Sequence, residues 1–90
     1  MDEVMRHKII ACLYRDREFC MSAAEYIKPD HFIDSPVEHN FSKIGLDFWN
    51  KFRTTCTDFV FTESIKYLIE KKIVKKEDVP MYRDWETLYL

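Results

Sequence analysis

Four side chains within nine residues, His31, Asp34, Glu38 and His39, offer the imidazole nitrogens and carboxylate oxygens that a divalent metal takes as ligands. Metal-binding helices place their ligands four residues apart on one face, whereas Glu38 and His39 are adjacent and diverge by about 100°. Glu38 also has a better-defined role. With Ser35 as N-cap and Pro36 as first helical residue, it stands where a capping-box carboxylate reaches back to the cap's amide. A second group is the lysine run from Lys66 to Lys76, five lysines against the single Glu70. Lys71, Lys72, Lys75 and Lys76 can contact phosphate by charge, but cations at a helix C-terminus also complement its dipole, so the pattern reads first as a solvated face.

The remaining reactive types are poorly placed for catalysis. Ser22, Ser35, Ser42 and Ser64 lack the strained elbow of a hydrolase nucleophile. Cys12, Cys20 and Cys56 are odd in number and contain no CxxC pair, so they read as small buried hydrophobes of a reducing compartment rather than as disulfides or zinc ligands. Gly45 is the only glycine, which excludes a Walker loop or a dinucleotide fingerprint. No catalytic residue, resident metal or cofactor is expected. Trp49, Met81, Tyr82, Trp85, Leu88 and Tyr89 can bind rather than react, and aromatic residues are enriched at interface hot spots.

The elements that position these residues follow from periodicity. Val37, Phe41, Ile44, Phe48 and Phe52 recur at spacings of three or four and predict a spine helix from Ser35–Pro36 to about Arg53, with Trp49 at the border of its stripe. Met1 to Tyr14 predicts a first helix, with Val4, Met5, Ile9, Ile10, Leu13 and Tyr14 on a broad buried face. Asp16 caps a second, carrying Phe19, Cys20, Ala23, Ala24 and Ile27. Lys28-Pro29-Asp30 ends it, and Phe32 and Ile33 tuck the connection inward. Phe59-Val60-Phe61 reads as a buried extended connector. Thr62 is then the cap of a fourth helix bearing Ile65, Leu68, Ile69 and Ile73. After Glu77-Asp78-Val79-Pro80 a last helix sets Met81, Tyr82, Trp85, Leu88 and Tyr89 on one face. That face is too apolar to leave in water, so it either closes the core or meets another chain.

Ninety residues predict one domain, and 47% hydrophobic with 16% aromatic residues lets so short a chain build a sizeable core. One glycine and three prolines argue against an all-β fold. The expected fold class is therefore all-α, a compact orthogonal bundle of about five short helices. A formal charge of −2 provides no overall basic field, so nucleic-acid contact would be weak or indirect. With no transmembrane-length apolar run or signal peptide, a cytoplasmic location without membrane contact is expected.

Nearly the whole chain resembles the N-terminal domain of DnaB-like replicative helicases, in the short version of phage replication proteins. The residues that carry the likeness are Arg15-Asp16-Arg17-Glu18-Phe19, Lys28-Pro29-Asp30-His31-Phe32, Ser35-Pro36-Val37-Glu38-His39-Asn40-Phe41 and Thr62-Glu63-Ser64-Ile65. Two positions depart from the family pattern. Asn40 replaces the common Arg or Lys after the histidine, and the threonine-rich stretch from Thr54 to Thr57 replaces a glycine-containing loop. The RecA-like ATPase domain is absent from these ninety residues, so an excised N-terminal domain, which the starting Met would suit, or a stand-alone relative is expected. The resemblance implies a non-catalytic collar that packs on its own copies and docks primase or a helicase loader. Self-association is expected through Trp49, Met81, Tyr82, Trp85, Leu88 and Tyr89, most simply as a two-fold dimer. The alternative is a small helical nucleic-acid-binding or regulatory protein using the lysine patch.

Overall fold

Ser35 and Pro36 start the central helix as their types require. In the computed structural model, which describes residues 2–90, the Ser35 hydroxyl accepts the Glu38 amide at 3.3 Å and Pro36 is the first residue of the helix Pro36–Phe52. Chain order gives α1 (Glu3–Arg15), α2 (Arg17–Ala23), α3 (Pro36–Phe52), α4 (Asp58–Glu70) and α5 (Asp78–Tyr89). Two 3-10 turns, Ala24–Tyr26 and Pro29–Phe32, lie between α2 and α3, and there is no strand among the described residues. The fold is thus an all-α bundle of five helices. None of the described helices is long and apolar enough to cross a membrane.

The expected capping box forms only by half. The Ser35 amide donates instead to the Phe32 carbonyl at 3.3 Å, and the Glu38 side chain turns inward to Arg6 and His7. The buried face of α3 is also displaced from the expected stripe. Phe41, Ser42, Gly45, Leu46 and Trp49 are buried while Phe52 is exposed, a rotation of roughly a quarter-turn. Close approach of α1 explains it. A Cβ added at Gly45 would lie 3.1 Å from Tyr14 Cε2 and 3.2 Å from Leu13 Cβ, so the small residues of α3 mark its tightest contact. Trp49 is accordingly a core side chain rather than a border one.

The caps of the other helices show where local chemistry decides. Asp2 caps α1, accepting from the Met5 amide at 2.8 Å, and Asp16 caps α2, accepting from Phe19 at 3.0 Å. Met1 lies outside the described residues. Val4 and Met5 are exposed rather than buried, because α1 enters the core only from Ile9 and Ile10 onward. Phe32 is buried as expected, but Ile33 stands in solvent.

The largest correction concerns α4. Thr57, not Thr62, is its cap, its hydroxyl accepting the Val60 amide at 3.2 Å. Phe59-Val60-Phe61 is therefore helical, with Phe61 buried and Phe59 exposed. A threonine cap with Asp58 in the first turn suits the helix dipole and outweighs the extended preference of the aromatic and β-branched residues that follow. At the far end, Ile73 N–H bonds to Leu68 O at 2.9 Å and Lys72 N–H to Ile69 O at 3.0 Å, with Lys72 at φ 60. This is a Schellman turn with lysine in the position usually given to glycine, and it leaves Ile73 outside the core.

The helices meet on one ring. Tyr82 of α5 is stacked between Phe41 at 5.0 Å and Phe61 at 4.9 Å, with Tyr14 at 4.8 Å and Trp85 edge-on at 6.0 Å. The radius of gyration, 12.0 Å, matches the about 12 Å of a compact chain this long, so α5 closes the core rather than extending from it. The three cysteines are buried and form no disulfide, and burial pushes the Cys20 and Cys56 thiols up to about 11, keeping them protonated.

Phe41 and Phe48 should separate the true core face from the expected one. Phe41→Ala should cost about 3–5 kcal/mol, whereas Phe48→Ala, at a half-buried ring, should cost only about 1–2 kcal/mol. Urea unfolding of the two variants measures the difference, and equal losses would restore the unrotated stripe.

Candidate interaction surface

Packing of α5 on α1 leaves an open groove between the outer edges of the two helices, with a volume near 440 Å³. Glu3, Val4 and His7 line one wall, and Met81, Asp84, Trp85, Leu88 and Tyr89 line the other. Val4, Met81 and Leu88 are 56%, 47% and 69% exposed, so apolar surface lies open along the groove. Trp85 is its floor. Only 4% of the residue is exposed, and the His7 ring lies flat on it at 4.1 Å with an interplanar angle of 13°. The Trp85 indole N–H makes no hydrogen bond, yet no enclosed side-chain polar atom among the described residues lacks a partner, so this donor is not fully enclosed.

A buried carboxylate holds the α1 wall in place. Arg6 Nε donates to both oxygens of Glu38, at 2.9 and 3.0 Å, and His7 Nε2 lies 3.1 Å from Glu38 Oε1. Bonding to Glu38 raises the pKa of the guanidinium, so the Arg6 side of the pair stays charged. The start of α1 is thereby fixed to the start of α3, which keeps His7 over Trp85.

The opposite edge of α5 carries a second ionic cluster. Tyr82 OH donates to Glu86 Oε1 at 2.6 Å, Arg15 Nε donates to the same oxygen at 2.9 Å, and Arg83 Nη1 reaches Oε2 at 3.1 Å. Arg15 also donates to the Cys56 carbonyl and to Asp58, each at 2.8 Å, and both guanidinium groups lie over the Phe61 ring. Burial alone would push the Glu86 carboxyl up, but the hydrogen bonds from Tyr82 and Arg15 and the charge of Arg15 outweigh it and hold the pKa below the ordinary value. A carboxylate held ionised by three donors is a brace, not a general acid.

The expected interface residues divide between core and surface. Tyr82, Trp85 and Trp49 are core, so of the six only Met81 and Leu88 are exposed, with Tyr89 half-buried against the core. Trp49 is not a neighbour of the groove; it lines a separate hollow with Cys20, Met21, Glu25, Asn50 and Arg53. Lys71, Lys72, Lys75 and Lys76 are all exposed, and among the described residues none is in an ion pair, although Lys71 sits over the Tyr67 ring at 5.6 Å. Glu38 and His31 of the histidine–carboxylate group are engaged apart from each other, His31 Nδ1 accepting the Lys28 amide at 3.2 Å. The residues that periodicity did not single out are Glu3, His7 and Asp84. The adjacent Arg6 and His7 interrupting an apolar helix were the available signal.

The Glu86 brace gives stability a defined pH dependence. Its folded pKa lies below the unfolded value, so its contribution is present at neutral pH and is lost as pH falls through the lowered folded pKa. Glu86→Gln should cost about 1–3 kcal/mol at pH 7, and the gap to wild type should narrow below about pH 4. Thermal melts across pH measure both, and a gap independent of pH would show that the charge is not what matters. No family model matches the sequence, no similar protein is found among the curated proteins, and no solved structure matches the chain.

Proposed function

We propose that this chain is a non-catalytic interaction module of the kind at the N-terminus of DnaB-like replicative helicases, self-associating and docking primase or a helicase loader. The observation that carries the interaction reading is the α1–α5 groove, with exposed Val4, Met81 and Leu88 around Trp85. Exposed apolar side chains gathered at a groove over a buried aromatic are the composition of a binding surface. The ionic clusters around Glu38 and Glu86 favour the same reading, because their donors and acceptors are used in joining helices. The resemblance supplies the partner classes and the collar. Met81→Ser with Leu88→Ser should leave the fold intact and weaken capture of primase or loader at least about tenfold. Calorimetric titration with the cognate primase and loader measures this, and unchanged affinity would remove the groove from the proposal.

The four unpaired lysines favour a second reading, contact with nucleic-acid phosphate. Binding through them should be weak, independent of sequence and lost by physiological salt, since it acts through counterion release. Changing Lys71, Lys72, Lys75 and Lys76 to Gln should abolish whatever fluorescence anisotropy detects at low salt. Tight binding that survives at physiological salt would make this second reading the primary one.

A further inference from the structure

We infer that the α1–α5 groove of one copy receives the turn from Lys71 to Lys76 of a second copy, so that self-association runs head to tail. The inference rests on the groove being an interaction surface and adds what fills it. Ile73 is 51% exposed at the tip of that turn, with Lys71 and Lys72 before it and Lys75 and Lys76 close after it. The groove presents the inverse pattern, an apolar floor beside the carboxylates of Glu3 and Asp84 with no lysine or arginine among its lining residues. An apolar tip framed by cations matches an apolar groove framed by anions in both character and charge.

The turn is also built to be presented. The bonds from Ile73 N–H to Leu68 O and from Lys72 N–H to Ile69 O fix its backbone, Asn40 Nδ2 donates to the Ile73 carbonyl at 3.4 Å, and Val74 is buried beneath it. A segment already held in its bound shape loses little entropy on docking. Because every copy carries both the groove and the turn, a second copy supplies the complement. Pairing groove with groove about a two-fold axis would instead bring Glu3 and Asp84 of both copies together, which like-charge repulsion disfavours. Two different patches make a heterologous contact, which closes into a ring or continues as a chain.

Charge reversal separates these arrangements. One variant carries Glu3→Lys and Asp84→Lys in the groove; the other carries Lys72→Glu and Lys75→Glu in the turn. All four positions are exposed, and circular dichroism establishes that both variants fold. In sedimentation velocity at low salt the wild type should associate, each variant alone should associate about tenfold or more weakly, and an equimolar mixture should recover the wild-type distribution. Wild-type association by the turn variant alone would overturn the inference in favour of groove-to-groove pairing, leaving the proposed function standing. A monomeric wild type, or a mixture that stays monomeric, would also overturn it. A monomeric wild type would in addition remove self-association from the proposed function, whose docking half primase and loader titration decides separately.

Discussion

The position of Tyr82 constrains most of this molecule. Its ring is stacked between Phe41 of α3 and Phe61 of α4 and touches Tyr14 of α1, so one side chain of α5 joins three other helices. A phenol buried that deeply needs an acceptor, and Glu86, one helical turn further along α5, supplies it. The carboxylate then needs cations, which Arg15 and Arg83 provide. Arg15 in turn binds the Cys56 carbonyl and Asp58, fixing the connection between α3 and α4. A single buried hydroxyl thus sets a chain of requirements that extends from the core to the surface and spans four elements.

The groove is a consequence of that orientation. With Tyr82 and Trp85 directed inward, Met81 and Leu88, four residues before and three after Trp85, lie on the outer flank of the same face and stay exposed. The apolar surface of α5 is therefore wider than its own core requires, and the remainder faces Val4 across His7. Glu38 fixes the spacing between the two walls, because its bonds to Arg6 and His7 set where α1 begins against α3. Replacing one partner of such a buried pair leaves the other charge stranded, which makes the α1 wall sensitive to changes on α3 that never touch the groove.

Much of this fold was legible in the residues. Ser35-Pro36 and Asp16 marked two helix starts correctly, and five helices without a strand followed from periodicity and from the scarcity of glycine and proline. Three features escaped. The buried face of α3 was misplaced because periodicity weighs large side chains, while Ser42 and Gly45 are buried for being small. The start of α4 was misplaced because Phe59-Val60-Phe61 is locally suited to extended backbone, and the Thr57 cap together with the burial of Phe61 against Tyr82 decides otherwise. Glu38 was assigned to its own helix end because the capping pattern is local, whereas its actual partners lie 32 residues away in the case of Arg6. Of the interface residues, those on α5 were legible as apolar, but which of them pointed outward depended on where Tyr82 was anchored.

Net charge conceals a further property of the surface. A formal charge of −2 gives a weak overall field, yet it averages over a surface that includes an acidic groove edge at Glu3 and Asp84 and a basic turn at the end of α4. Opposite patches on separate faces are nearly invisible to each other within a copy once they are farther apart than a Debye length of about 8 Å at physiological salt. Brought into contact, however, the same charges lie well inside that length. Under the proposed head-to-tail contact, the energetic consequence of the two patches is read in association rather than in the net charge.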